Sequence, residues 1–264
     1  MNEMKKRLMA FAVLLLAAPV LPAQTVSGTD AAWPARTVSE TGDPDPVSAD
    51  SPAPVSEKEK FPRWRLSLQG GAAYRSGPMD PSLDGIMLQH AKRLRWGAVY
   101  GADATYYFTR TWGVGVEYSD MASFNRERID AFYDDGSSRS GFLESRIDVA
   151  YLGPMFSVRM LSQNGRHALI SNCGVGSVAY WETGELIEPY SIRGRTAGAR
   201  VELGYEFCLN RRLFLGAMVS ATTASLYELE MKSSAGDWQT VKLDRDEAEN
   251  LSRLALSVGL RWYL

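Results

Sequence analysis

Two histidines, His90 and His167, and two cysteines, Cys173 and Cys208, are all that this 264-residue chain offers of the side chains that most often bind transition metals or act as bases near neutral pH. None of the four falls at a ligand spacing, so neither a metal nor another cofactor is expected. Nucleophilic catalysis would need a hydroxyl beside a base and a third group to orient that base. His90, in one polar connection, and Asp134, Asp135 and Ser137, in the next, supply the residue types, but serines and aspartates are ordinary loop residues. His90 is therefore read as a solvated loop side chain, and no catalytic residue is assigned. The charges that demand an explanation lie elsewhere. Arg65, Arg75, Arg200, Arg253 and Arg261, with Asp103, Glu117, Glu202 and Glu206, sit inside apolar alternating segments, where a lone buried charge is costly and a paired one is tolerable.

Those segments must be strands. In the last fourteen residues Leu254, Leu256, Val258, Leu260, Trp262 and Leu264 alternate with Arg253, Ala255, Ser257, Gly259, Arg261 and Tyr263, the period of a strand with one apolar face. From Arg63 onward eight such segments are expected, at about 63–75, 95–108, 112–126, 142–160, 167–182, 194–208, 212–227 and 251–264. The connections run long and short in strict alternation, about 19, 3, 15, 6, 11, 3 and 23 residues, the rhythm of a barrel with tight turns at one membrane face and long loops at the other. In an eight-stranded barrel side chains alone fill the interior. The faces rich in glycine and small polar groups, and with them the nine charges, are therefore placed inside. Trp96, Tyr100, Tyr106, Trp112, Val114, Val116, Val201, Leu203 and Tyr205 then face lipid. Trp64, Phe108, Trp112, Phe207 and Trp262 near the short turns, and Tyr74, Trp96 and Tyr227 near the long loops, form two aromatic girdles. Within 142–160 the apolar phase changes from Ile147, Val149 and Tyr151 to Phe156, Val158 and Met160, so a bulge is expected at Gly153 and Pro154.

Residues 1–23, with Lys5, Lys6 and Arg7 ahead of an apolar run and Ala23 at its end, read as a cleaved secretory signal. Residues 24–60 carry Pro34, Pro44, Pro46, Pro52 and Pro54 and seven acids against three bases, and read as a disordered periplasmic leader. Residues 61–264 form the barrel and are electrically neutral, with no basic stripe for nucleic acid.

The terminal Ser257-Val-Gly259-Leu-Arg-Trp262-Tyr-Leu264, set on this rhythm, resembles the signal at the end of the eight-stranded outer-membrane barrels of the OmpA/OmpX-like group, including the small barrels of Bacteroidetes. It departs from the commonest form in ending on Leu264 instead of an aromatic residue. The resemblance implies an all-β fold, an eight-stranded antiparallel up-and-down transmembrane β-barrel in the bacterial outer membrane. It implies outer-membrane lipid and lipopolysaccharide as surroundings, and the barrel-assembly machinery and periplasmic chaperones as partners during biogenesis. A non-catalytic structural or surface-recognition role follows, with an unidentified extracellular ligand met by the long loops and with Phe132, Tyr133 and Trp238 as candidate contacts. The alternatives are a lipid A-modifying enzyme using His90, a narrow pore, and a secreted lipocalin-like barrel. Symmetric pairing of strands five and six would set Cys173 opposite Leu203, too far from Cys208 for a disulfide.

Overall fold

Side chains that alternate between lipid and a crowded axis leave the backbone one solution, a sheet closed on itself so that no edge is left in the hydrocarbon. The computed structural model describes residues 61–77, 79, 83, 85–132, 138–186, 188–233, 236–244 and 248–264, and the signal and leader expected at residues 1–60 lie outside the described residues. Eight strands close the ring: β1 (Trp64–Arg75), β2 (Trp96–Tyr107), β3 (Trp112–Phe132), β4 (Ser138–Leu161), β5 (His167–Leu186), β6 (Glu188–Cys208), β7 (Leu213–Leu226) and β11 (Arg253–Tyr263). Each pairs antiparallel with its sequence neighbour, and β11 seals against β1 from Arg65↔Tyr263 to Arg75↔Arg253. Helix α1 (Gly85–Leu94) lies in the first long connection, and β8 (Glu228–Ser233), β9 (Gln239–Lys242) and β10 (Glu249–Asn250) lie in the last.

The ring confirms the eight-strand expectation, with its inside and outside as assigned. Trp96 and Trp112 are 62% and 44% exposed, as are most of the outward valines and leucines, whereas Arg65, Arg253 and Arg261 are fully buried. Paired aromatics mark both rims of the wall, Trp64 on Tyr106 and Trp112 on Phe156 near the short turns, Tyr74 on Trp96 near the long connections. An apolar outer wall around a buried polar interior is stable only in a bilayer, and closed barrels of this kind span the bacterial outer membrane. The protein resides there, and a lipocalin, which carries its apolar side chains inward, is excluded by the same wall.

Three expectations are corrected. Strand four has no bulge: its pairing with β3 runs unbroken from Trp112↔Val158 to Phe132↔Ser138, and Ile147, Val149 and Tyr151 point inward in phase with Met155 and Ser157. The apparent slip reflects a change in what fills the lumen, apolar toward the long connections and polar toward the short turns. Second, β3 to β6 run 20 to 24 residues, where β1, β2, β7 and β11 run 11 to 14. About ten residues suffice to span a bilayer, so most of the stretches read as the second and third long loops are strand, standing above the membrane. Third, β5 and β6 pair two positions away from the expected register, with Cys173 opposite Val201.

Above the membrane β6 exchanges β7 for β8, from Gly198↔Ala224 to Gly194↔Leu229, and β9 pairs onto β8. The result is a curved wall of β3, β4, β5, β6, β8 and β9 rising from one side of the rim. Leu226 from the end of β7, Leu229, Met231, Leu243 and Leu251 from the last connection, and Leu94 from α1, pack on Ile147, Val149, Val178, Tyr180 and Ile192, stoppering the mouth with an apolar plug.

Candidate functional site

Eight of the nine luminal charges expected from the sequence are buried, all but Arg75, and they form separate groups instead of one balanced network. Nearest the short turns, Arg65 donates to Asp103 Oδ1 at 2.7 Å and to Glu206 Oε1 at 2.8 Å, and Tyr263 donates to Glu206 Oε2 at 2.5 Å. Arg261 reaches the same carboxylate at 3.6 Å and donates to the carbonyl of Gly216 at 2.8 Å and to Gln69 Oε1 at 3.1 Å. Higher up, Arg200 donates to Glu117 at 2.6 Å, Glu202 at 2.7 Å and Thr222 at 2.8 Å, while Asn172 donates to Glu202 at 2.9 Å. Arg253 has no carboxylate: it donates to the Val149 carbonyl and, at 3.1 Å, to that of Ser119. Arg75 leaves the lumen groups and pairs at the mouth with Glu249 of β10.

Sequence reasoning missed Arg159, which the supposed bulge obscured. Its guanidinium lies 3.8 Å from the ring centroid of Tyr107 and donates to the carbonyls of Pro62 and Arg110 at 3.3 Å, closing the short-turn end. Between the floors, the gap lined by Gln69, Ser119, Arg200 and Ser257 has no room for a water molecule.

Glycine makes this filling possible at the seam. A Cβ on Gly259 would lie 2.0 Å from the carbonyl oxygen of Leu68, and one on Gly216 would meet the Arg261 guanidinium at 2.9 Å. Of the expected assembly signal, Ser257 faces inward and donates to Gln69 at 3.2 Å, while Trp262 and Leu264 lie on the outward face.

His90 is not a solvated loop residue. It lies one helical turn before Leu94 on α1, so both project from one face, and both are buried where α1 packs on the raised wall. Its Nε2 lies 3.2 Å from Ser145 Oγ and its Nδ1 2.7 Å from Asn125 Nδ2. A serine, a histidine and an amide in contact invite comparison with a hydrolytic triad, and the direction of the hydrogen bonds decides against it. Asn125 Nδ2 also donates to Glu127 Oε1 at 3.2 Å, which fixes the amide nitrogen on that side. His90 Nδ1 must then accept, its ring proton sits on Nε2, and that proton points at Ser145. Ser145 in turn donates to Tyr190 at 3.1 Å, and Tyr190 to Glu182 at 2.8 Å, with Tyr180 donating to the other Glu182 oxygen. The imidazole has no lone pair free for the serine proton, and Ser145 is 3% exposed. Burial holds the His90 pKa below its usual value, against the pull of Glu127 and with the help of Arg93. At the mouth, burial raises the Glu249 carboxyl to about 7, opposed by Arg75 and reinforced by Glu182.

Among the expected loop contacts, Trp238 is exposed and stacks at 4.2 Å on the guanidinium of Arg193. Phe132 is described only as the last residue of β3, and Tyr133, Asp134, Asp135 and Ser137 lie outside the described residues. The outward face of the raised wall carries other aromatics that the sequence reading had not singled out: Phe124, and Phe142 with Arg126 at 4.0 Å.

No protein-family model and no curated protein matches the chain. Among solved structures it is similar to Neisserial surface protein A (NspA), with 11% identity over 76% of this chain and 96% of that one and a TM-score of 0.42. It is also similar to the outer membrane protease OmpT of Escherichia coli, at 8% identity over 79% and 99% with a TM-score of 0.45. A third is a major outer membrane protein of Thermus thermophilus, at 11% identity over 76% and 99% with a TM-score of 0.47. The architecture, a closed antiparallel barrel of eight strands, is given by the chain's own strand pairing.

Proposed function

We propose that this outer-membrane barrel is a non-catalytic surface-recognition protein whose working part is the raised wall of β3 to β6 with β8 and β9. One observation carries the reading: four strands continue about ten residues past the height at which their neighbours stop, and an aromatic and arginine-rich outward face is built on that excess. A barrel that served only as a membrane filler would gain nothing from strands longer than the bilayer. Exposed aromatics and arginines are the residues that recognition surfaces favour. Phe124, Arg126, Phe142 and Trp238 are the contacts this reading assigns, with Trp238 retained from the sequence and joined to the wall through Arg193. Lipopolysaccharide surrounds the wall at its base, and the assembly machinery and chaperones act before the barrel is in place.

The directed hydrogen-bond chain through His90 supports the absence of hydrolysis, and the filled lumen supports the absence of a pore. The experiment compares cells displaying the intact protein with cells displaying a Phe124→Ser, Phe142→Ser, Trp238→Ser triple variant at equal surface density. Both are probed with a panel of immobilised glycosaminoglycans and purified extracellular-matrix proteins. Retention of at least one probe by the intact protein and its loss in the variant is the expected result. If the two bind every probe alike, the wall is not a recognition surface. Mass analysis of lipid A from cells with and without the protein tests the enzymatic alternative directly, since an altered acyl or phosphate pattern would replace the present reading.

A further inference from the structure

Where β6 changes partner, the outer wall opens into a cleft of about 600 Å³ lined by Ala179, Trp181, Arg193, Arg195, Glu228 and Glu230. The cause is topological. β7 pairs with β6 only as far as Gly198, β8 begins at Gly194, and the residues between lose their neighbour on that side. These six side chains are outward in the sheet, with Gly194 and the buried Leu229 completing the lining, so the cleft opens on the membrane side of the wall.

The charges in the cleft are unequal in occupation. Arg193 bonds to Glu230 and is covered by Trp238. Among the described residues, neither Arg195 nor Glu228 has an ion-pair or side-chain hydrogen-bond partner. Arg195 stands opposite Ala179, and Trp181 stands opposite Arg193, so an indole lies at the lip beside two guanidinium groups. Toward the membrane centre the next outward positions are Ser177 opposite Ala197 and Val175 opposite Ala199. Below them come larger side chains, Val201, Leu203 and Tyr205. The wall is therefore recessed directly beneath the cleft, in a strip where almost no side chain extends past Cγ.

A polar cleft set on a recessed apolar strip fits an amphiphile that lies along the wall with its head at the rim. The geometry points to a phosphorylated glycolipid of the outer leaflet, with one phosphate on Arg195 and the exposed edge of Arg193, a sugar ring against Trp181, a sugar hydroxyl donating to Glu228 and an acyl chain in the strip of Ser177, Ala179, Ala197 and Ala199. The mixture of charge selects against simpler ligands. Two carboxylates beside two guanidinium groups leave little net attraction for a small anion in water, where paired surface charges are worth little. A neutral lipid leaves Arg195 unanswered. Only a ligand offering an anion, hydroxyls and a hydrocarbon chain together satisfies every part. This inference concerns a lipid held laterally at the wall's foot, and its site shares Arg193 with the recognition surface proposed above.

The test is a titration of the full-length protein in detergent by native mass spectrometry, with bisphosphorylated lipid A as the probe. One bound lipid is expected to survive gentle activation. The Arg193→Gln, Arg195→Gln double variant should bind at least tenfold more weakly. Dephosphorylated lipid A should be weakened to a similar degree on the wild type and no further on the variant. The deacylated phosphorylated disaccharide and inorganic phosphate, each in hundredfold excess, should fail to displace the lipid. Equal retention by wild type and variant, or by phosphorylated and dephosphorylated lipid, overturns the site. Displacement by phosphate alone leaves a plain anion site and overturns the lipid assignment. Heat-modifiable migration on gels reports the fold of each variant. Should the double variant not fold, Ala197→Trp decides, because it fills the strip, leaves both arginines in place and is expected to lose the lipid.

Discussion

A single buried carboxylate, Glu206, receives Arg65, Arg261 and Tyr263. Removing one member of a buried ion pair strands the others, at a typical cost of about 3–5 kcal/mol. Glu206→Leu should destabilise the barrel by that order, read as a lowered urea midpoint of the protein refolded into lipid vesicles. Gly259 bears two rival explanations, recognition by the assembly machinery and simple steric necessity at the seam. Gly259→Ala places a methyl 2.0 Å from the Leu68 carbonyl, so the variant should refold poorly into vesicles that contain no machinery at all. Refolding as complete as the wild type's would return the residue to the recognition role. The inward direction of eight of the nine charges was legible because period-2 alternation assigns faces residue by residue. Their partners were not, since which arginine meets which acid depends on the stagger between strands. That is why Arg75 was grouped with the lumen when its partner, Glu249, comes from a loop nearly at the other end of the chain.

Elements that project from the membrane carry the pH dependence. His90 holds α1 to the wall and is kept neutral by burial, so its folded pKa lies below the unfolded value of about 6.5. Its contribution is whole above that pH and declines as pH falls toward the folded value, because the unfolded helix then binds the proton first. Glu249 behaves oppositely. With a folded pKa of about 7 against about 4.3 unfolded, it favours docking of β10 below that window and loses the contribution as pH rises through 7. Acidification from pH 8 to 5 should therefore speed amide exchange in residues 85–94, after correction for intrinsic rates, and slow it in residues 248–251. His90→Ala should abolish the first change and leave the second. Exchange in both segments moving the same way would contradict the assignment. The helix itself escaped the sequence reading: ten residues with apolar Ile86, Met87, Leu88 and Leu94 give a weak period. The one available cue was the spacing of His90 and Leu94 ahead of the basic pair Lys92 and Arg93 near the last turn, where cations suit the helix dipole. The raised strands escaped for another reason. Above the bilayer both faces of a strand can be polar, so the alternation that reveals a lipid-facing strand fades, although β4 and β5 continue to pair.

For the molecule as a whole, the filled interior has an electrical consequence. Among the described residues, floors of ion pairs, Arg159 over Tyr107 and the apolar plug at the mouth stand across the lumen, so planar-bilayer recordings should show no unitary current steps. Reproducible steps from purified protein would mean that the plug leaves the mouth. Strand number, closure and the facing of the wall were all readable from the chain, because the bilayer imposes one rule on every spanning segment. The shape of the rim was not, because beyond the lipid that rule lapses and long-range packing takes over.

The uneven rim gives this otherwise cylindrical object a front and a back. A neighbour drifting against β11 and β1 meets only hydrocarbon-coated barrel, whereas one drifting against β4 and β5 meets a screen of protein reaching into the surroundings of the cell. Rotation about the membrane normal, of no account for a symmetric peg, becomes for this protein the coordinate that decides what it shows to each adjacent molecule.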